Sequence, residues 1–420
     1  MNKKVGLQQI LPRIKNNRIF LRADFNVPLS NGKIKDATRI TSTLPTIKAI
    51  LENNPKGLFL TSHLGRPDGA KKLEYSLKPI AQELERLGGF KVRFIDDCVG
   101  EEALELGKEI NNGEIILLEN LRFYAEEEGK IKDKDGNSVK VDKKLVTDFR
   151  KKLTSLTDIY VNDAFGTMHR AHSSIVGIDV PVRAAGLLVE KELKFFSQAI
   201  ENPKRPLVVV LGGAKVADKL PVIRNLLNLA DDIIIGGGMA FTFLKELEGV
   251  NIGDSLYDAA SSELVKEIMK LAKEKGVRIH LPDDFILGKD LKDKENSGEK
   301  TKAEGIPQGF KGFDIGRNSV KRFNEVLNKA STIIMNGPMG AFENPIFAFG
   351  SESIVNTIAD RSSRGAVSVI GGGDSVSLVS QVKGAKEKIS HISTGGGASL
   401  ELLEGKKMPG IEFLTDSDKL

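Results

Sequence analysis

Five strand-like apolar segments in the second half of the chain each run into a cluster of glycines. The glycines begin within three residues of Leu211, Ile235, Met335, Ile370 and Ile392. A short, continuously apolar run is typical of a strand that is buried on both faces of a parallel sheet. Glycine lacks a Cβ, so a flat or polyphosphate ligand can approach the backbone there. Tight turns alone would explain some of these glycines, but their recurrence favours a parallel sheet with a nucleotide-binding edge. A sixth strand ends at His280 without glycine.

The first half alternates strand-like and helix-like segments, which predicts an α/β domain with a parallel sheet. The predicted strands are residues 19–21, 57–61, 92–95, 114–118 and 159–161. The predicted helices are residues 36–53, where Pro45 indicates a kink or a late start, 78–87 and 101–110. Residues 130–144 are predicted to form an exposed loop or hairpin, and residues 291–305 a loop.

Length and composition set the limits of this interpretation. A chain of 420 residues favours two domains, and the helical pattern over residues 186–200 is a plausible link between them. The formal charge of +5 gives no indication of nucleic-acid binding. The single cysteine, Cys98, excludes an internal disulfide and fits a reducing compartment. The basic start, residues 1–4, has no apolar stretch after it, and no run is long enough to span a bilayer, so we expect a cytoplasmic protein.

Basic side chains follow several predicted strands of the first half. They are Arg22, His63, Arg66, Arg122 and Arg170, with Arg39 at a helix start. The carboxyl ends of parallel strands meet at one edge of a sheet, which is where α/β folds bind ligands. Arginine there recognises carboxylate and phosphate oxygens. Each arginine alone could be a surface salt-bridge partner, but together they predict a site for a small polyanion.

Charged residues also accompany the glycine clusters. Lys215 and Lys219 lie one helical turn apart behind Gly213, where backbone N–H groups at a helix start favour an anion. An ordinary strand-to-helix turn with two solvated lysines is the alternative. Asp374 follows three glycines and is well placed to hold Mg²⁺. Alternatively, Asp374 caps the next helix.

Eight motifs, in order and spacing, resemble those of the phosphoglycerate kinase family from end to end of the chain. In the first half they are residues 22–28 (RADFNVP), 62–67 (SHLGRP), 118–123 (LENLRF) and 162–166 (NDAFG). In the second half they are residues 212–216 (GGAKV), 336–340 (NGPMG), 371–375 (GGGDS) and 394–398 (TGGGA). Ala23, Met335 and Arg317 stand where valine, tryptophan and proline are usual or frequent. The 130–144 segment looks longer than is typical.

The resemblance implies two doubly wound, Rossmann-like parallel-sheet domains joined by a hinge helix. Residues 1–185 would bind 3-phosphoglycerate, 186–204 would be the interdomain helix, 205–405 would bind the nucleotide, and 406–420 would pack back on the first domain. The implied acid-binding residues are Asp24, Asn26, Arg39, His63, Leu64, Gly65, Arg66, Arg122 and Arg170. The implied nucleotide-binding residues are Gly213, Ala214, Lys219, Gly237, Gly312, Asn336, Glu343, Gly372, Gly373, Asp374 and Ser375. Arg39, Lys215, Gly373 and Gly396 would be catalytic, and Asp374 would be the Mg²⁺ ligand.

The implied reaction is reversible phosphoryl transfer between 1,3-bisphosphoglycerate and ADP, giving 3-phosphoglycerate and ATP in glycolysis and gluconeogenesis. The acceptor is a carboxylate, ionised at neutral pH, so no general base is expected. Closure of the two domains would bring the ligands together and exclude water. We expect a monomer that acts on small molecules, with Mg²⁺, and has no nucleic-acid or membrane partner.

Two other functions are compatible with glycine-ended parallel strands. A nicotinamide-dependent dehydrogenase would carry G-x-G-x-x-G after its first strand, with an acidic residue about 20 positions on, and we find neither in that context. A non-catalytic nucleotide-binding protein is the other alternative, against which Arg39, Lys215 and Asp374 argue.

Overall fold

The computed structural model describes residues 3–420, and residues 1 and 2, at the basic start of the chain, lie outside the described residues. The chain divides into two compact units. The first unit runs to Lys194 and takes in Lys407–Leu420, and the second unit is Phe195–Lys406. Helix Leu187–Phe196 contains the boundary between them. Each unit is built on a six-stranded parallel sheet with helices packed around it, which is the α/β, doubly wound arrangement that was predicted.

The sheet of the first unit supports the predicted basic residues. In spatial order its strands are Val182–Ala185, Ile159–Asn162, Arg18–Arg22, Gly57–Thr61, Glu114–Leu118 and Arg93–Ile95. The four central strands are buried along almost their whole length, which is why they are continuous apolar runs in the sequence. Arg22 pairs with Thr61 on one side and with Asn162 on the other, so these strands end at the same level.

Helices and two short hairpins complete the first unit. Its α-helices are Leu7–Ile14, Thr38–Leu51, Lys78–Gly88, Glu101–Glu109, Ala125–Glu128, Lys143–Ser155, Ser173–Val176 and Pro409–Phe413. Its 3₁₀ turns are Leu73–Tyr75, Leu121–Phe123, Phe165–Thr167 and Ser417–Lys419. The hairpins pair Leu29–Ser30 with Lys33–Ile34 and Lys130–Lys132 with Ser138–Lys140.

In helix Lys78–Gly88 the local sequence explains where the helix begins, which face is buried and where it ends. Pro79 lies in its first turn, where the missing N–H costs nothing. Ile80 and Leu84, four residues apart, share the buried face. The helix ends at Gly89, whose φ of 73° is a left-handed conformation that glycine adopts without strain.

The C-terminal segment packs within the first unit. The Lys4 ammonium donates to Asp416 Oδ1 at 2.7 Å, and Val5 N donates to the Thr415 carbonyl at 2.8 Å. Gly410 N donates to the Met168 carbonyl at 2.8 Å. These bonds attach the last residues to the start of the chain and to the turn at Phe165–Thr167.

The sheet of the second unit has the strand order of dinucleotide-binding folds, 3-2-1-4-5-6 when the strands are counted along the chain. In spatial order the strands are Arg278–His280, Asp232–Ile235, Leu207–Leu211, Thr332–Asn336, Val367–Gly371 and His391–Ile392. The order reverses between Leu207–Leu211 and Thr332–Asn336. In open α/β sheets the crevice beyond such a reversal is where ligands bind.

A small antiparallel sheet and seven α-helices surround that parallel sheet. The antiparallel strands are Glu299–Thr301, Asp284–Gly288 and Lys311–Ile315. The α-helices are Val216–Leu226, Met239–Glu248, Ser262–Lys275, Arg317–Leu327, Phe349–Ser363, Gly373–Gln381 and Gly397–Leu403. A π-helix at Ser197–Glu201 and 3₁₀ turns at Ala259–Ser261 and Pro345–Phe347 complete the described elements of this unit.

Most predicted elements are confirmed, including all five glycine-ended strands and the sixth strand ending at His280. The prediction of a loop over residues 291–305 is wrong in part, because Glu299–Thr301 is a strand. Strand Val182–Ala185 was not predicted. Of the two alternatives for residues 130–144, the hairpin is correct, with Lys143 opening the next helix. Helix Thr38–Leu51 runs through Pro45, so its start is not late. Among residues 3–420, no helix combines the length and the apolar character needed to cross a membrane.

Candidate functional site

The predicted acid-binding residues of the first unit lie on turns at the carboxyl edge of its sheet, and hydrogen bonds join several of them. Arg39 Nη1 donates to Asp24 Oδ2 at 2.8 Å. Gly65 N donates to Asn26 Oδ1 at 2.9 Å, and the Gly65 carbonyl accepts from Arg122 Nη1 at 2.8 Å. The turns after three different strands are therefore connected, and Arg39, on helix Thr38–Leu51, is tied to the first of them.

We call Arg39, His63, Arg66, Arg122 and Arg170 the basic cluster. Arg122 Nε lies 3.4 Å from Glu128 Oε1, and Arg170 Nη1 lies 4.0 Å from the same oxygen. Arg66 is exposed on the turn that follows Gly65 and makes no hydrogen bond or ion pair with residues 3–420. Leu64 is held through its backbone, because its N–H donates to Asn120 Oδ1 and its carbonyl accepts from Asn120 Nδ2.

Arg22 is not exposed at this edge, contrary to the interpretation that grouped it with the other basic residues. Arg22 is the last residue of its strand and is fully buried. Its guanidinium donates to Ser174 Oγ at 2.8 Å and contacts His63 Nδ1 at 3.2 Å. The strand ends one residue later than the sequence suggested, and Ser174, the Ala23 carbonyl and His63 enclose the side chain.

His63 and His172 are neutral at neutral pH. Burial, together with the charges of Arg122 and Arg22, lowers the pKa of His63 well below its usual value. Burial and Arg122 likewise lower the pKa of His172 to about 2. Since neither imidazole carries charge at neutral pH, the positive charge of the cluster comes from guanidinium groups alone.

Two carboxylates beside the basic cluster were not predicted from the sequence. Glu128 is the shared neighbour of Arg122 and Arg170, and His172 Nε2 lies 3.6 Å from it. Glu127 is buried and accepts from both Ser174 N and Ser174 Oγ. The run of three glutamates at 126–128 resembles a solvated face, and no spacing in the sequence distinguishes it from one.

Two cavities open at the carboxyl edge of the second unit's parallel sheet, and they share Gly213, Ala214, Pro338 and Asp374 in their linings. The first has a volume of about 450 Å³ and an apolar wall that includes Phe241, Leu256, Phe285 and Phe313. Its lining also contains the predicted residues Gly213, Ala214, Gly237, Gly312, Glu343 and Asp374. An apolar cavity of this size with few polar groups suits a flat base and its sugar.

The second cavity, of about 390 Å³, is lined by glycine backbone and lysines. Its predicted residues are Gly213, Ala214, Lys215, Lys219, Asn336, Gly372, Gly373, Asp374, Ser375 and Gly396. Helices Val216–Leu226 and Gly373–Gln381 begin in this lining, and neither has a side-chain cap. Their first N–H groups can therefore bind an anion.

Polar groups within the second cavity are partly paired with one another. Lys219 Nζ donates to Asn336 Oδ1, and Asn336 Nδ2 donates to the Gly371 carbonyl at 3.1 Å. Ser375 Oγ accepts from Gly337 N at 2.7 Å. Burial lowers the pKa of Lys219, partly offset by Asp374. Lys215 is exposed at the mouth of the cavity.

Asp374 does not cap a helix, so that alternative is wrong. Gly372 occupies the N-cap position, with a φ of 93° that favours glycine, and Asp374 is the second residue of helix Gly373–Gln381. The Asp374 carboxylate is exposed, lines both cavities and makes no hydrogen bond or ion pair with residues 3–420. It is free to bind a cation.

Comparisons with known proteins agree on one family. The sequence model of the phosphoglycerate kinase family matches residues 8–406. The curated phosphoglycerate kinase of Tetrahymena thermophila is 54% identical over 420 residues, with 100% of each chain covered. That of Saccharomyces cerevisiae is 51% identical over 416 residues, with 99% of each covered.

Solved structures give the same result. The phosphoglycerate kinase of Coxiella burnetii superposes with a TM-score of 0.85 at 34% identity, covering 98% of each chain. That of Pyrococcus horikoshii has a TM-score of 0.79 at 33% identity, covering 99% of this chain and 100% of the other. The chain therefore belongs to the phosphoglycerate kinase family.

Proposed function

We propose that this chain catalyses the reaction of its family, the reversible transfer of a phosphoryl group between 1,3-bisphosphoglycerate and ADP, with 3-phosphoglycerate and ATP as products. One observation carries the proposal. All thirteen residues that the resemblance implied for the second unit line one of two cavities that share a wall, one apolar and one rich in backbone N–H groups and lysine. A nucleotide needs these two environments side by side.

The basic cluster is the proposed site of the acid substrate. Four arginines and a neutral histidine suit a small ligand that carries a carboxylate and a phosphate, because guanidinium groups pair with both. Asp24 and Asn26 are already engaged with Arg39 and Gly65, so their contribution would be to orient these groups and to bind a hydroxyl.

Phosphoryl transfer to this acceptor requires the protein mainly to position the two substrates and to neutralise the charge of the transferred group. The acceptor carboxylate of 3-phosphoglycerate is ionised at neutral pH, so no side chain need remove a proton. We propose that Lys215 and Arg39 flank the phosphoryl group in transit, and that backbone N–H groups at Gly373 and Gly396 stabilise its oxygens. His63 could not act as a base toward a carboxylate that has no proton to give.

Mg²⁺ fits the donors that the second unit presents. Asp374 is the exposed carboxylate at the wall shared by the two cavities, and oxygen is the ligand atom that Mg²⁺ prefers. Within residues 3–420, no three His, Cys, Asp or Glu side chains are grouped to hold a metal ion. Phosphate and water would therefore supply its remaining ligands. When bound, Mg²⁺ would neutralise charge on the nucleotide phosphates.

A coupled assay for ATP formed from ADP and 1,3-bisphosphoglycerate tests the proposal. The protein should form ATP, and Lys215→Ala should lower turnover by roughly 10²–10³ while changing nucleotide affinity little. Lys321→Ala, at an exposed lysine on another helix of the same unit, is the control and should match the wild type. No ATP above the enzyme-free rate would reject the function. Equal losses of turnover and affinity in Lys215→Ala would make Lys215 a ground-state phosphate clamp.

We infer three further properties from the sequence, and they stay predictions: a cytoplasmic location, a monomeric state, and a hinge in the helix predicted over residues 186–203 and in the turn at residues 394–397. The single buried Cys98 supports a reducing compartment. The unit boundary inside one helix supports the hinge.

A further inference from the structure

The geometry points to Arg22 as a positioning residue that fixes the tautomer of His63, so that His63 presents an N–H donor at Nε2 to the acid substrate. This inference rests on the proposed function, because it takes His63 as a ligand of 3-phosphoglycerate. It assigns Arg22 a role different from that of the arginines of the basic cluster, since Arg22 would act through His63 and not touch the substrate.

Arg22 is enclosed, and each part of its guanidinium has a defined partner. The side chain is fully buried at the end of strand Arg18–Arg22. Nε donates to Ser174 Oγ at 2.8 Å, Nη1 donates to the Ala23 carbonyl at 2.5 Å, and Nη2 lies 3.2 Å from His63 Nδ1. Three contacts in different directions leave the planar group one orientation.

The contact with His63 determines where the imidazole proton lies. A guanidinium group has only donors, so His63 Nδ1 must offer a lone pair to Nη2. A neutral imidazole with an unprotonated Nδ1 carries its hydrogen on Nε2. The opposite tautomer and the protonated ring would both set an N–H of His63 against an N–H of Arg22.

The ring also stays neutral over the physiological range. The charged and titratable groups that face His63 are Arg22, Arg39, Arg122 and His172, and all of them, together with burial, lower its pKa. His63 therefore adds one hydrogen bond to the site and no charge that changes with pH.

Further hydrogen bonds, through Ser174 to Glu127, orient Arg22. Ser174 Oγ donates its hydrogen to Glu127 Oε1 at 2.6 Å, which leaves an oxygen lone pair for Arg22 Nε. Glu127 Oε2 accepts from Ser174 N at 2.9 Å. The direction of donation runs from Arg22 through Ser174 to Glu127, and the buried carboxylate offsets the buried guanidinium.

Nε2 of His63 is the ring nitrogen that remains available to a ligand. Nε2 makes no hydrogen bond to the described residues, and it is not among the buried polar atoms that lack a partner. It is therefore accessible to solvent. A carboxylate or phosphate oxygen accepts hydrogen bonds, so a donor at Nε2 binds it, whereas a lone pair there would repel it.

Nitrogen-15 NMR of the histidine rings in the ligand-free protein tests the tautomer directly. We expect Nδ1 of His63 to resonate as an unprotonated nitrogen and Nε2 as a protonated one, without titration between pH 5.5 and 8. His63→Gln assigns the signals among the five histidines. In Arg22→Met the two nitrogens should move toward a mixture of tautomers. A protonated Nδ1 in the wild type would overturn the inference, and so would an unchanged tautomer in a folded Arg22→Met.

Paired substitutions of His63 test whether the donor matters. A glutamine amide can place N–H near the Nε2 position, whereas an asparagine amide reaches only the Nδ1 position. We expect His63→Gln to keep KM for 3-phosphoglycerate within about twofold, and His63→Asn to raise it roughly tenfold, the loss of about one hydrogen bond. KM for ATP should be unchanged in both.

Equal KM values for 3-phosphoglycerate in the two variants would overturn the donor role. A protein that turns over no 3-phosphoglycerate at all would reject the proposed function instead. The NMR result does not depend on activity, so the two failures are distinguishable.

Discussion

Arg66 differs from the other arginines of the basic cluster because its side chain is exposed and unpaired within residues 3–420. It is therefore free to bind the phosphate of 3-phosphoglycerate that is not transferred. We predict that Arg66→Ala raises KM for 3-phosphoglycerate and changes kcat little, because a contact that is equally strong in the ground state and in the transition state contributes only to binding. Salt should raise KM of the wild type by screening the same contact.

The control for Arg66 is Arg86→Ala. Arg86 is also exposed, and its ion pair is with Glu83 on its own helix, so KM should not change. Steady-state kinetics at two salt concentrations measures both variants. An unchanged KM for the acid in Arg66→Ala would remove Arg66 from the site.

At the residue scale the sequence predicts which side chains carry charge, but not which way a strand's last residue faces. Arg22 and Arg122 have similar positions after apolar runs, yet Arg22 is fully buried against Ser174, whereas Arg122 donates to the Gly65 carbonyl. The covering residue, Ser174, is 152 positions away from Arg22 in the chain. No local pattern contains that information.

At the scale of elements, Asp158 ties strand Arg18–Arg22 to its neighbours. Its carboxylate accepts from Arg18 Nη2 at 2.6 Å and from Arg18 N at 2.9 Å, and Arg18 Nη1 also donates to the Gly107 and Ser155 carbonyls. We predict that Asp158→Ala lowers the free energy of unfolding by about 1–2 kcal/mol, allowing for partial exposure. Urea titration measures this change.

The Asp158 effect should depend on pH. The hydrogen bonds from Arg18 lower the pKa of the Asp158 carboxyl, outweighing burial, which raises it. A lowered folded pKa gives stability above the unfolded pKa of about 3.9, and this stability is lost as pH falls through the folded pKa. The difference between wild type and variant should shrink from pH 7 to pH 3. Asp360→Ala breaks an exposed pair with Lys388 and should cost at most about 0.5 kcal/mol.

Alanine substitution should have different effects at two glycines near the ends of parallel strands: one variant should lose stability, and the other should lose activity. A Cβ on Gly212 would lie 1.8 Å from the Pro338 carbonyl oxygen, so Gly212→Ala should destabilise the protein by about 1–3 kcal/mol. A Cβ on Gly373 would meet no atom within 4 Å. Gly373→Ala should keep the melting temperature but lower turnover by roughly tenfold, because the methyl group enters the second cavity.

Thermal melts and the coupled assay separate these two outcomes. An unchanged melting temperature in Gly212→Ala would mean that the turn at Pro338 can move to make room for the methyl group. Unchanged turnover in Gly373→Ala would mean that the nucleotide phosphates do not bind beside Gly373. The comparison uses glycines from one sheet edge, so it separates the glycines required by packing from those required by the ligand.

Elements were predictable where burial on both faces leaves a continuous apolar run, as in Leu207–Leu211. Strand Val182–Ala185 was missed because it lies at the sheet edge, begins right after Pro181 and contains Arg183. Strand Glu299–Thr301 is polar, short and partly exposed, which is the composition of a loop. Pairing with Asp284–Gly288 makes it a strand, and such pairing is a tertiary effect.

At the scale of the whole molecule, the two sets of predicted residues belong to different units. Every predicted acid-binding residue lies before Lys194, and every predicted nucleotide-binding residue lies in Phe195–Lys406. Phosphoryl transfer requires reacting atoms about 3–3.5 Å apart. With these assignments, the proposed transfer would require the two units to approach each other.

We predict that this approach is complete only when both ligands are bound. Either ligand alone contacts one unit and can shift the equilibrium only weakly, because a shift requires different affinity for the two states. Small-angle scattering should give similar radii of gyration for the free protein and for the protein with 3-phosphoglycerate or nucleotide alone. The radius should fall when 3-phosphoglycerate is combined with an ATP analogue whose β–γ bridge resists transfer. Asp374→Ala, which removes the proposed Mg²⁺ ligand, should weaken that decrease at a fixed nucleotide concentration. The same radius in all four states of the wild type would reject closure as the way the units cooperate, while the assignments of residues within each unit would stand.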